Sequence, residues 1–207
     1  MKEISAGYDI LCLQEVEEYN VEKITLEGYQ AEYQPHVHKD NGLVTQFNKE
    51  MFELVERWQG GIRRCFLILK LRYGEQEFYV ANCHLSWRDT PEISRHGELM
   101  EVIDALKELD ESIPLVFGSD LNIEYGEAEL DECLSFLKSA YPLPLPYTEY
   151  KFRGNEVVRR GVDYIFFRGL EVEEIQEIWE LDKSIGIPND DHGSDHLLLS
   201  AKLKWIQ

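Results

Sequence analysis

The ends of the apolar runs constrain this chain more than any other feature. Strand-length apolar stretches recur along it, and several of them stop at, or are interrupted by, a polar residue with chemistry to offer. Ile10-Leu-Cys-Leu13 runs into Gln14-Glu15, and Phe78-Tyr-Val-Ala-Asn-Cys-His-Leu85 carries Asn82 and His84 inside it. Leu115-Val-Phe117 continues through Gly118-Ser119 to Asp120 and Asn122. Asp163 interrupts Val162–Phe167, and Asp195-His196 follows Gly193-Ser194 and opens Leu197–Leu203. An unbroken apolar run of this length suits a strand covered on both faces. A polar group in such a place costs free energy unless it finds partners. Strands that end together at one edge let these groups satisfy one another.

Between the strands the period changes. Leu43–Phe47, Cys65–Leu71 and Ile113–Phe117 also read as strands, with a hairpin turn at Gly74-Glu75 between the runs Cys65–Leu71 and Phe78–Leu85. Thr90-Pro91-Glu92 supplies a cap, a proline at the first helical position and an acidic first turn, and Leu99, Val102, Ile103, Leu106 and Leu109 follow at helical spacing. Leu130, Cys133, Leu134 and Leu137 make a second helical stripe, while Pro142-Leu-Pro-Leu-Pro146 reads as a loop because its prolines cannot continue a helix. Strands alternating with helices give an α/β fold class.

With 207 residues and no internal repeat or linker, residues 1–207 form a single expected domain. Lys and Arg number 21 against 40 Asp and Glu, a formal charge of −19, which excludes whole-surface attraction to nucleic acid or to an anionic membrane. An anionic substrate therefore needs a local basic patch or a bound cation. No apolar run reaches the ~18 residues of a membrane span. The start, Met1–Tyr8, lacks the apolar centre of a secretory signal, so a cytoplasmic location and no membrane partner are expected. Cys12, Cys65, Cys83 and Cys133 are far apart and form no CxxC, which argues against a structural zinc or a disulfide framework.

Taken singly, each strand-end residue has an ordinary reading. Glu15 or Asp120 suits a turn, Asn82 a cross-strand hydrogen bond, His84 a satisfied core histidine. Asp163 is harder to dismiss, because Asp is disfavoured inside strands. As a set they have a chemical use. Carboxylates on oxygen-rich strand ends suit Mg²⁺, which takes one or two of them and keeps room for water and phosphate oxygens. An Asp bonded to a His orients the ring and favours its charged form. These are parts for phosphoester hydrolysis, and a metal-loaded site receives an anion that the rest of the surface repels.

In this order, Leu13-Gln14-Glu15-Val16, Asn82-Cys83-His84-Leu85, Gly118-Ser119-Asp120-Leu121-Asn122, Asp163-Tyr164-Ile165-Phe166 and Ser194-Asp195-His196 resemble the motifs of the endonuclease/exonuclease/phosphatase superfamily. The resemblance implies a two-sheet β-sandwich flanked by helices, as in DNase I. Trp87, the stretch Tyr147-Thr148-Glu149-Tyr150, and Ile187-Pro188-Asn189 resemble the Ccr4, Angel and nocturnin branch, and Asn41–Lys49 followed by Met51–Leu54 is similar to its sheet-edge hairpin. The resemblance implies Mg²⁺ (with Mn²⁺ as a substitute) held by Glu15, Asp195 and Asp120. It implies catalytic roles for Asp120, Asn122, Asp163, His196 and His84, with Asp163 orienting His196. Asn82, Trp87, Arg159, Arg160 and Asn189 fall on the substrate side.

There are departures. Ser119 is inserted before Asp120, and Val158 stands where poly(A)-trimming members carry a base-stacking aromatic, leaving Arg159 and Arg160 to grip phosphate. The family opens with a strand bearing an Asn beside the metal, and here eight residues precede Asp9. The expectation is a fold lacking that strand, with Ile10–Leu13 either at an exposed sheet edge open to self-association or a protein partner, or covered by Leu197–Leu203. The implied activity is a 3′-to-5′ exoribonuclease acting on an RNA 3′ end. A nucleotide or sugar phosphatase is the second reading and a catalytically weak protein-binding scaffold the third.

Overall fold

The structure, a computed structural model, describes residues 7–37, 39–60, 65–89, 94–153, 156–178, 187–189 and 193–206. In chain order its elements are β1 (Ile10–Glu17), α1 (Val21–Ile24), β2 (Tyr29–Pro35), β3 (Asn41–Asn48), β4 (Glu53–Gly60), β5 (Phe66–Tyr73), β6 (Gln76–His84) and α2 (Arg95–Lys107). They continue with β7 (Leu115–Asp120), α3 (Ala128–Leu134), β8 (Lys138–Ser139), β9 (Glu149–Arg153), β10 (Glu156–Arg160), β11 (Asp163–Arg168), β12 (Leu170–Ile175) and β13 (Ala201–Trp205).

Two main sheets face each other. One has the order β1-β3-β2 and the other β4-β5-β6-β7-β11-β8; β9 with β10 and β12 with β13 form separate ribbons. Leu67, Leu69 and Leu71 of β5, with Phe78 and Val80 of β6, pack against Leu43 and Phe47 of β3 and fill the seam between the sheets. The alternate residues, Phe66, Ile68, Tyr79 and Ala81, face the other way onto Leu99, Val102, Ile103 and Leu106 of α2 and Leu130 and Cys133 of α3. Both faces of β5 are therefore apolar, which is why it reads as a continuous run rather than an alternation. At Gly118 the two sheets approach closely: a Cβ there would lie 3.1 Å from Cys12 Cβ. The fold is the α/β sandwich expected from the motifs.

Several local expectations are corrected. Helix α2 begins at Arg95, with Ser94 Oγ accepting from the Gly97 amide at 3.2 Å, and Thr90-Pro91-Glu92 lies outside the described residues. The segment Asn41–Leu54 is not a hairpin: β3 and β4 belong to different sheets, and the turn at Asn48 carries the chain from one to the other. Leu197–Ser200 is not strand. Its backbone is held instead by Thr148 and Tyr141, and regular pairing starts at Ala201 with β12. Leu197–Leu203 therefore does not cover β1, which lies at the end of its sheet among the described residues. Ser119, the residue inserted before Asp120, pairs in register with Cys83 and Tyr164.

That register positions the site. Strands β6 and β7 are parallel and β7 and β11 antiparallel, with His84 opposite Asp120 and Asp120 opposite Asp163. Three side chains far apart in sequence thus stand in a row across one sheet end.

Candidate active site

The row is closed by His196. Its Nδ1 lies 2.8 Å from Asp163 Oδ2 and its Nε2 3.8 Å from Asp120 Oδ2, and His84 Nε2 approaches the same Asp120 oxygen at 3.6 Å. The segment carrying His196 is stitched to β9: the Tyr150 amide donates to Asp195 O at 2.8 Å and the Leu197 amide to Thr148 O at 2.7 Å. Thr148, wholly buried, also accepts from the amides of Val162 and Asp163 at 3.0 Å, so one hydroxyl fixes the start of β11. Sequence reasoning did not single Thr148 out as a site residue, since a threonine beside an irregular segment carries no periodic signal.

Two residues of the site hold left-handed backbone, Glu15 at φ 56° and Asn122 at φ 53°. Such conformations cost free energy outside glycine and concentrate at functional positions. Glu15 reaches its position through a bulge in β1 between Leu13 and Val16. Asn122 is tied on every side: its amide hydrogen-bonds Asp120 Oδ1 at 3.0 Å, its Nδ2 donates to Leu85 O at 3.0 Å, and its Oδ1 accepts from Arg160 at 3.1 Å.

The electrostatics divide the two histidines. Burial lowers the His196 pKa, but the hydrogen bond and charge of Asp163, with Asp120 and Asp195, outweigh it and raise the value to about 9. Burial lowers His84 to about 3, helped by the nearby cations Lys39, His196 and His36, so its imidazole is neutral. Burial, then the charge of Asp163, pushes the Asp120 carboxyl up to about 7 against the pull of His196 and the Asn122 amide. At neutral pH the site thus holds an imidazolium, a neutral imidazole and a carboxyl poised between its two forms.

The donor set fits a divalent cation. Asp120, Asp163 and His196 offer ligand atoms within 4.8 Å of one another, and so do Glu149, Asp195 and His196. Burial and the neighbouring carboxylate of Asp163 oppose ionisation of Asp120, and a cation there would relieve both. The expected trio of Glu15, Asp120 and Asp195 does not form one cluster among the described residues. Glu15 stands on the other side of His84, with Oε1 3.9 Å from His84 Nε2 and 3.8 Å from Lys39 Nζ, whereas Asp195 sits with Glu149.

The residues expected on the substrate side are dispersed. Asn82 has no exposed surface; its amide spans the two sheets, donating to Leu13 O at 3.2 Å and Val44 O at 3.0 Å and accepting from Gln14 at 2.8 Å. It braces β1 beneath Glu15 rather than facing a ligand. Trp87 is exposed, with the Arg88 guanidinium 4.7 Å from its ring. Arg159 lies over the rings of Tyr147 and Tyr150, at 5.7 and 5.1 Å. Arg160 turns inward onto Glu149 and Asn122. Asn189 is partly buried, two residues after Ile187, which packs against Tyr150 and Leu197. Glu149, part of the stretch Tyr147–Tyr150 that resembles the branch, and Lys151 form an ion pair beside Asp195, and neither was given a site role, because β9 has neither an apolar run nor a clean alternation.

The fold agrees with what comparison with known proteins finds. The chain is similar in structure to the human nocturnin catalytic domain, solved with a bound sulfate anion, at a TM-score of 0.77 and 24% identity over 96% of this chain and 81% of that one. It is similar to ANGEL2, a 2′,3′-cyclic phosphatase solved with adenosine-2′,3′-vanadate, at a TM-score of 0.74 and 22% identity over 99% and 84%. A mannosyl-6-phosphatase of Bacteroides thetaiotaomicron matches at a TM-score of 0.75 and 17% identity over 96% and 86%. Nocturnin and ANGEL2 bear the names of the branch that the sequence resembles. No curated protein sequence matches the chain. The family model for endonucleases, exonucleases and phosphatases matches residues 2–196, nearly the whole chain with all five strand-end motifs, and the protein belongs to that family of metal-dependent phosphoester hydrolases.

Proposed function

We propose that this phosphoesterase cleaves a terminal phosphoester of an RNA 3′ end, as a 3′-to-5′ exoribonuclease using Mg²⁺, with Mn²⁺ as a substitute. The observation that carries the reading is the line Asp163–His196–Asp120, with a 2.8 Å bond on one side of the imidazole and a 3.8 Å approach on the other. Asp120, beside Asp163, would hold the cation, which would supply a Lewis acid that neutralises phosphate charge. The protein groups do the rest. Asp120, placed between His84 and His196, accepts a proton from the attacking water. His196, held as an imidazolium by Asp163, faces the phosphate and returns a proton to the departing oxygen. Neutral His84 offers one N–H to a phosphate oxygen, and Asn122 has one amide hydrogen left for the same purpose.

A nucleotide or sugar phosphatase is the second reading, and two observations favour it: the charge of −19, which repels a polyanion, and the inward turn of Arg160, which removes a cation from any RNA track. The test is hydrolysis of 5′-labelled oligo(A), mixed RNA, DNA, nucleoside monophosphates and mannose 6-phosphate with Mg²⁺, with Mn²⁺ and with a chelator. Stepwise shortening of RNA that stops on chelation is expected. Cleavage confined to monophosphates selects the second reading, and no metal-dependent hydrolysis of any of them overturns both.

A further inference from the structure

A second knot of charge adjoins the site on β9 and β10. Glu149 is 1% exposed, and one of its oxygens pairs with Lys151 while the other pairs with Arg160. Both cations also touch the site itself. Lys151 Nζ lies 3.5 Å from Asp195 Oδ2, and Arg160 Nη2 donates to Asn122 Oδ1 at 3.1 Å. The ladder explains the arrangement: Arg160 stands directly opposite Glu149, and Lys151, two residues along β9, shares its face. Burial opposes ionisation of Glu149, yet the two cations hold its carboxyl down to about 2.

The arrangement is unusual for a site that receives phosphate. A lysine and an arginine beside the reacting centre form a clamp for an anion when they are free. Here Glu149 lies beneath them and Asp195 beside Lys151, so two positive and two negative groups cancel. With both Glu149 oxygens already taken by protein cations, the Glu149–Asp195–His196 group is also a poor place for a divalent ion.

We propose that Glu149 is a specificity-determining residue: by holding Lys151 and Arg160 in internal ion pairs, it fits the site to substrates with one phosphate group and against those with a second phosphate within a nucleotide's length. The inference rests on the phosphoesterase reading in its second form, a nucleotide or sugar phosphatase, and weighs against an RNA chain, which carries a phosphate at every nucleotide. A carboxylate placed among phosphate-binding cations discriminates by charge, because a second phosphate meets a neutral quartet instead of two open cations. Replacing Glu149 by Gln keeps the shape and removes one negative charge.

The test is the dissociation constants of adenosine 3′-monophosphate and adenosine 3′,5′-bisphosphate, by calorimetry with Ca²⁺ in place of Mg²⁺, for the wild type, Glu149→Gln and Lys151→Gln. Turnover with Mg²⁺ is followed separately, so that loss of activity speaks to the proposed function and the binding ratio to this inference. The wild type should bind the bisphosphate no better than the monophosphate. Glu149→Gln should favour the bisphosphate by about tenfold relative to the monophosphate, an effect that shrinks in high salt. Lys151→Gln, at a half-buried position that leaves the Glu149–Arg160 pair intact, should move the ratio the other way and keeps the test open if Glu149→Gln fails to fold. A purely structural Glu149 would shift both ligands alike. An unchanged ratio in the folded variants, or a wild type that prefers the bisphosphate, overturns the proposal.

Discussion

His196 owes its charge to Asp163, and this has a measurable consequence. Its folded pKa of about 9 lies above the unfolded value of ~6.5, so the pairing contributes stability that is full below pH ~6.5 and is lost as pH rises through about 9. The size is on the order of 2–3 kcal/mol. Asp163→Asn should bring the His196 titration, followed by NMR, down toward 6.5 or below and cut turnover by roughly 10²–10⁴-fold. A normal kcat with a lowered pKa would show that the imidazolium takes no part in the chemistry. Asp120 is also raised, so its contribution likewise falls as pH rises, but here it is the charged form that the fold disfavours. Its folded pKa of about 7 lies above the ordinary carboxylate value, so its ionisation destabilises the metal-free fold increasingly between pH ~4 and ~7. Asp120→Asn should therefore raise the Tm of chelator-treated protein at pH 8 while abolishing activity. A fall in Tm would mean that the carboxylate is stabilised by contacts stronger than its burial. At this scale the sequence offered Asp120, Asp163 and His196 as candidates, and the fold brings them together, but whether a buried carboxyl is charged depends on neighbours 43 and 76 positions further along the chain, Asp163 and His196.

Elements deliver these groups, and short polar contacts hold the elements. Ser94 caps α2, whose apolar stripe closes the outer face of the large sheet, and Ser94→Ala should lower unfolding stability by ~1 kcal/mol in a denaturant titration. Thr148→Val leaves the buried amides at Val162 and Asp163 without their acceptor and should cost about 1–3 kcal/mol. Because Asp163 is loosened, kcat should fall in that variant while that of Ser94→Ala stays near wild type. Equal kcat in both would place Thr148 outside the catalytic support. The long apolar strands were legible from composition and run length, since burial on both faces leaves its mark on every residue. The β9–β10 ribbon was not, because Tyr, Lys, Arg and Val alternate there in no pattern that a half-buried strand enforces. The start of α2 was displaced because cap signatures occur in more places than helices begin.

Across the whole molecule, the charge of −19 and the cations gathered near the site pull in opposite directions. Lys39 lies beside Glu15, and Lys151 and Arg160 lie beside Asp195 and Asn122, yet Lys151 and Arg160 are neutralised by Glu149 and Asp195 together. Long-range repulsion should dominate for a polyanion. Cleavage of long RNA should therefore rise as salt increases from about 0.05 to about 0.2 M, contrary to the usual fall when phosphate contacts release counterions. Mononucleotide hydrolysis should change little over that range. A steep fall of RNA cleavage with salt would reveal a basic track that these contacts do not form. The sequence by itself determined the family, the sheet-rich sandwich and the residues that end its strands, because apolar run length and local motifs are properties of neighbours along the chain. Only the tertiary structure decided which charges meet. Cross-strand register set Arg160 on Glu149 and Asn122 rather than on an open groove. A bulge turned Glu15 toward His84, and the stitching of the 194–197 segment to β9 put Asp195 beside Glu149. Ion-pair partners are chosen by distances of a few ångströms between residues tens of positions apart, and no local pattern records that choice.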